Sequence, residues 1–450
     1  MGITKNEFAS KVGAILAAAG SAVGLGNVWR FPTETGANGG AAFILIYVLF
    51  MLLLGVPVMV TEFAIGRHGG ENVSQAFEKM SGGKRGWRWM GMFPVVSGFL
   101  VLSYYAVVAG WTLYYAYTAL LGGFQGKAPA EFASDFATFS SDSFSPVFWM
   151  ILIIAMTCGI VAMGVQKGIE RGAKVMMPLL FLIIIGIAIR SMTLPGSAPG
   201  LDFLFRPDWS KVTSQTFLAA LGQAFFSLSL GSCMVVTYAS YVKKEANIIS
   251  LSSQTAVADT LFAIIAGCAI MPAVFAFGIS PGEGPDLVFV TLPHIFSQMP
   301  LGGVIAIFFF VALLLAALTS SISMLEVIVA FCIEEFKMKR KVAVLVVFVF
   351  IWILGCLCSL SMGPLSDWKI LGKTIFDLFD FISADFLMLL GGLLIVIFAG
   401  WKLGKAAVFD ELTNGGTHPV PAWLLKTILF LIRYVAPAAL LAIAIFQVHE

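Results

Sequence analysis

Residues 13–32 read GAILAAAGSAVGLGNVWRFP. The stretch starts as an apolar helix, with a run of alanines that favours helix strongly. Gly20, Gly24 and Gly26 then fall in its middle, followed by Asn27 and Arg30. Glycine weakens a helix interior, and in hydrocarbon a weakened turn must satisfy its backbone groups in another way. Residues 221–236, LGQAFFSLSLGSCMVV, repeat the pattern, with Gly231 among Ser227, Ser229 and Ser232. One such helix is explained by close packing through small residues. Two, at corresponding places in the halves of a chain, point to a binding site at mid-membrane depth.

The composition agrees with a membrane setting. Of 450 residues, 59% are hydrophobic and 12% charged. Soluble domains carry about 25% charge, so an ordinary soluble enzyme is excluded, as is a disordered chain. A formal net charge of +2 offers no basic face to nucleic acid. A membrane-crossing helix needs about 20 mostly apolar residues. Eleven segments qualify, near 10–34, 41–65, 90–121, 146–166, 173–194, 213–241, 254–277, 304–333, 342–360, 375–399 and 423–447. Two connections are long, and the second holds a candidate surface helix at 285–298. All six cysteines lie in apolar stretches, so no disulfide or metal site is expected.

Orientation follows from charge. Most of the 27 Lys and Arg fall in connections on the side of the N-terminus, which the positive-inside rule makes cytoplasmic. With eleven spans the C-terminus lies outside. The N-terminal residues lack a signal-peptide pattern and read as a lead-in to the first helix of an inner (plasma) membrane protein.

The phrase GSAVGLGNVWRFP resembles the first-helix signature of the neurotransmitter:sodium symporter family. Further segments occur in family order: Asn38-Gly39-Gly40, Tyr104-Tyr105 with Trp111, Gln223 to Gly231, Thr237 to Tyr241, and Ala316 to Ser321. The resemblance implies an all-α polytopic fold of the bacterial leucine-transporter-like, eleven-helix type. Residues 1–194 (helices one to five) and 213–399 (six to ten) would form an inverted five-plus-five repeat. Helices one and six would be unwound, and 423–447 would add the eleventh helix. It further implies alternating access, two sodium ions and an amino-acid substrate.

Sodium is a hard cation that takes oxygen ligands. By resemblance, one ion would be held by the carbonyl of Ala22 with Asn27, Ser227 and Asp259. Asp259 stands where many members have Asn, and an intramembrane carboxylate reads by default as functional. Chloride-dependent members carry a serine where this chain has Ala263, so no chloride requirement is expected. The second ion would take carbonyls of Gly20, Val23 and Ala316 and hydroxyls of Thr319 and Ser320. Read alone, adjacent Thr and Ser in a helix bond back to their own carbonyls.

The substrate assignment rests on Gly24. Amine-carrying members have Asp there, so glycine implies a substrate that brings its own carboxylate, near Asn27, Gly26 and Tyr105. The ammonium would meet carbonyls including those of Ala22 and Phe226. Side-chain subsites implied by resemblance are Ser21, Val101, Phe226, Ser229, Ser232, Ser320 and Met324, a roomy set for a large hydrophobic or aromatic neutral amino acid. Arg30 inside an apolar span either snorkels or takes a carboxylate partner; the resemblance names Asp380, with Asp377 one turn earlier. It names Lys5 and Glu334 as the inner lock. Glu62 would serve free amides in the sixth helix. No catalytic constellation appears, so an enzyme is not expected. The competing function is a non-transporting sodium- or amino-acid-binding receptor or scaffold.

Overall fold

A computed structural model describes residues 7–278 and 284–449. Helix α1a, Lys11–Ala22, starts where the Ser10 hydroxyl accepts the Gly13 N–H at 3.0 Å, as an N-cap does. It continues as α1b, Leu25–Ala37, after a bend of 59°. Then follow α2 (Ala41–Gly69), α3 (Arg85–Leu120), α4 (Ser145–Ala162) and α5 (Val165–Met192). The sixth span is split into α6a (Ser214–Ser227) and α6b (Met234–Ala239). Spans α7 (Ile248–Ala276), α8 (Gly302–Glu335), α9 (Arg340–Leu360), α10 (Ile375–Leu403) and α11 (Ala422–Ile445) complete the set.

Among the described residues nine helices are long and apolar enough to cross a membrane, and the bent α1 makes a tenth; the shorter α6a and α6b fall at the place of the expected sixth helix. The protein is a multi-pass membrane protein. Several bounds differ from the sequence reading. α5 begins at Val165 because Gly164 (φ 89°) reverses the chain at once after α4. All six cysteines are free thiols.

The connections carry helices of their own. Pro129–Ser141 opens with Pro in its first turn, and Glu131 accepts the Ala128 N–H. This is a capping signal that the sequence reading left as loop. The candidate surface helix at 285–298 does form, but it is no surface element. Leu287, Val288, Phe289, Leu292 and Ile295 are all buried. Phe289 stacks on Phe136 and meets Trp111 and Trp29 edge-on. Aromatic rings thereby wedge both long connections between α1b and α3.

At the center, α1 packs on α5, α7 and α8, and α8 packs along α3. The end holding residue 8 is closed by polar contacts. Phe8 is buried edge-on to Tyr238 and Tyr241. Glu326 accepts from Tyr241 (2.6 Å) and pairs with Arg340. Glu170 accepts from the Ala9 N–H and Ser10 hydroxyl and pairs with Lys174. Arg67 pairs with Glu411 and donates to the carbonyl of Ala246.

Candidate substrate and ion site

The two helix breaks are built differently. In α1, Val23 and Gly24 are extended, and Asn27 restarts the helix by accepting the Gly24 N–H at 3.0 Å. In α6, Ser229, Gly231 and Cys233 all take positive φ (53°, 80° and 57°). Left-handed backbone at non-glycine residues costs energy and persists only where its surroundings enforce it. Here they do. The Gly231 N–H donates to Glu62 at 2.8 Å, the role expected of that acid. A β-carbon at Gly231 would run into the Met388 carbonyl of α10, so only glycine fits. The Ser229 hydroxyl reaches across to the Ser21 carbonyl of α1a (3.3 Å), joining the two breaks.

Beside this junction lies a fully buried polar cluster. The Asp259 carboxylate accepts from the Asn27 amide at 2.7 Å and from the Ser227 hydroxyl at 2.6 Å. Tyr47 of α2 approaches both Asp259 and Ser227 at 3.4 Å. Asn27, Ser227 and Asp259, proposed together from sequence, thus converge from three helices. Tyr47 was missed, because a tyrosine in an apolar helix carries no local sign of its distant partner. One turn before Ser227, the buried Gln223 amide has no hydrogen-bond partner among the described residues. A carboxylate among neutral oxygens is a donor set suited to a monovalent hard cation.

At the second ion position the picture is mixed. The Ser320 hydroxyl lies 3.3 Å from the Val23 carbonyl, bringing α8 to the α1 break. Thr319 bonds back to the carbonyls of Leu315 and Ala316, the purely helical alternative for this pair. Gly20 faces Thr319, with a β-carbon there falling 3.3 Å from the threonine side chain.

A cavity of about 460 Å³ opens from the junction. Its wall includes Ala22, Gly26, Val101, Tyr105, Phe226, Ser229, Ser232, Ser320 and Met324, nine of the ten expected substrate residues. Ser21 is not among them; its hydroxyl turns back to the Ala18 carbonyl at 2.7 Å. A β-carbon at Gly24 would lie 2.6 Å from the Ser320 hydroxyl oxygen and 3.4 Å from that of Tyr105. The Leu25 N–H points to Tyr105 at 3.4 Å. Trp29, Tyr104, Phe376 and Asp385 also line the space. Asp385 was legible by the same rule that singled out Asp259, as an acid within an apolar helix.

The expected outer ion pair is not made. Among the described residues, Arg30 pairs with Glu34 at 3.7 Å and lies over the Phe226 ring at 4.3 Å. Asp380 instead faces Tyr104, so both charges border an open mouth. Of the expected inner lock, Lys5 lies outside the described residues. Glu334 accepts the Asn72 N–H and thus holds the start of Val73–Met80. The Glu326–Arg340–Tyr241 contact was missed, since Arg340 reads in sequence as one more interfacial cation.

A profile described as the sodium:neurotransmitter symporter family matches residues 5–128 and 140–450. The chain belongs to that family. A sodium-dependent transporter of Bacillus subtilis, YhdH, is 41% identical over 437 residues, covering 97% of this chain and 96% of the relative. A Haemophilus influenzae sodium-dependent transporter is 35% identical, covering 98% of each. The solved structure of MhsT in complex with L-phenylalanine superposes with TM-score 0.89 at 44% identity, covering 98% of this chain and 99% of that one. The family is one of transporters, and this member is a sodium-dependent one.

Proposed function

We propose that this transporter carries large neutral α-amino acids, aromatic ones included, inward with two sodium ions and without chloride. The observation that carries this reading is shared space. The Asn27–Ser227–Asp259 cluster borders the same cavity as Gly24, Gly26, Tyr105 and Phe226. A sodium ion held there by Asn27 and Asp259 would face a substrate carboxylate resting on N–H groups at the start of α1b, where a helix end favours an anion. Gly24 leaves neither room nor need for a fixed acid. The ammonium would meet carbonyls of Ala22 and Phe226. Val101, Phe226 and Met324 supply apolar walls, and a similar protein binds L-phenylalanine. Thr319, Ser320 and the carbonyls of Gly20, Val23 and Ala316 are assigned the second ion.

Asp259 supplies the negative charge beside the ion, and Ala263 supplies no hydroxyl for an anion. The protein would sit in the plasma membrane with its N-terminus cytoplasmic. Two sodium ions crossing with a zwitterion carry net charge, worth ~2.3 kcal/mol per charge per 100 mV.

The test is uptake of labelled phenylalanine, leucine and glycine into proteoliposomes. Sodium is replaced by choline in one arm and chloride by gluconate in another. Sodium-dependent, chloride-insensitive uptake favouring phenylalanine and leucine is expected. Sodium-dependent binding without accumulation would favour a receptor instead. Loss of uptake in gluconate would overturn chloride independence and draw attention to the Gln223 amide.

A further inference from the structure

A half-buried guanidinium in α11 makes no ion pair among the described residues. Arg433 lies in a widened turn, Leu431–Val435, inside an apolar span. Its Nε is buried and makes no hydrogen bond, and among the described residues the side chain has no ion pair. Its central carbon lies 4.6 Å from the center of the Trp401 ring and 5.9 Å from that of Tyr434. Trp401 donates its indole N–H to the Arg433 carbonyl at 3.3 Å. Gly400 lets the helices approach, since a β-carbon there would fall 3.1 Å from the Arg433 Cα. The guanidinium is thus packed against rings while its Nε–H is unused.

We propose that Arg433 binds the phosphate of an anionic lipid headgroup. Guanidinium matches phosphate with two parallel N–H bonds, and an unpaired intramembrane arginine is costly. The ring-lined face is open to lipid, with Trp401 55% and Tyr434 51% exposed. Side chains lean toward the start of their own helix, here toward Lys402 at the end of α10 and Lys405 just beyond it. Trp401 lies two residues from the end of α10, where Trp marks the headgroup level. Lys426, exposed and two turns earlier on the same face of α11, adds a second cation. This site is independent of the transport substrate.

The test uses the full chain, delipidated in detergent. Native mass spectrometry compares retention of phosphatidylglycerol and phosphatidylcholine, and thermal unfolding is followed with each lipid and with inorganic phosphate. Wild type is expected to prefer phosphatidylglycerol roughly tenfold. Arg433→Gln should lose most of that preference, Arg433→Lys less, and Lys426→Gln a smaller part. Equal retention of both lipids by wild type would overturn the proposal even if Arg433→Gln failed to fold. So would a preference that survives in Arg433→Gln. Stabilization by inorganic phosphate equal to that by phosphatidylglycerol would overturn the lipid assignment in favor of a soluble anion. An Arg433-dependent dimer without bound lipid would replace the lipid with a carboxylate of a second copy.

Discussion

Asp259 is the residue on which the proposed ion chemistry turns. It is wholly buried, with Asn27, Ser227 and Tyr47 as its polar contacts. A unit charge about 4 Å from a cation is worth on the order of 4 kcal/mol at an effective dielectric constant near 20. Asp259→Asn should therefore raise the sodium concentration for half-maximal uptake at least roughly tenfold, while thermal unfolding shows the fold retained. An unchanged sodium dependence would remove Asp259 from the ion site. Ser232 tests the pocket. Its hydroxyl turns to the Ser229 carbonyl at 2.5 Å, so the residue occupies little of the space it borders. Ser232→Phe should fill that space, cutting phenylalanine uptake about tenfold while sparing glycine, much as added methylenes cost 1–3 kcal/mol in packed sites. Competition by unlabelled amino acids would read the shift, and an unaltered order of preference would exclude Ser232 from the specificity pocket.

At the scale of elements, the polar end is tied by side chains that reach between connections. Arg67 donates to Glu411, to the Glu411 carbonyl and to the carbonyls of Lys244 and Ala246. One guanidinium thus holds α2, the link from α6b to α7, and the helix Gly404–Thr413. Burial opposes charge on Glu411, but His68 and Arg67 outweigh it and hold its carboxyl below the ordinary value. A carboxyl depressed in the folded state stabilizes above its unfolded pKa, about 4.3. That contribution is lost as pH falls through the lower folded value. Thermal unfolding of wild type should therefore become more acid-sensitive below about pH 4 than that of Glu411→Gln. Parallel curves for the two would show that the tie contributes nothing.

These ties also mark where the sequence was legible. Both helix breaks could be read because glycine and serine cluster locally. Asp259 could be read because an acid stands out in an apolar run. Tyr47, Tyr104 and the Arg67–Glu411 contact could not, because their meaning lies in partners hundreds of positions away or in helices with no local irregularity. Arg30 was expected to pair with Asp380, but in the structure it meets Glu34 one turn further along its own helix. Resemblance supplied the ligand sets for the ions; the residues by themselves left Thr319 free to bond within its helix, which is where the structure has it.

For the whole molecule, the cavity meets the end bearing Arg30 and is sealed from the end bearing Phe8. Arg340 is central to that seal, since Glu326 beneath it is fully buried. Removing one member of a buried pair costs about 3–5 kcal/mol. Arg340→Gln should lower the thermal midpoint markedly, and adding Glu326→Gln should recover more than half of the loss. A double variant no better than the single one would mean that the two side chains do not act as a pair.

The contrast between the ends has a mechanical consequence. Around Phe289, rings meet rings, in contacts that separate without leaving a charge or hydrogen bond unpaired. Around Phe8, opening requires parting directional bonds and re-hydrating their charges. The Phe289 end is thus built to give way before the Phe8 end does. Because Glu326 and Arg67 are buried, salt screens these pairs little, and added salt should leave the Phe8 end closed.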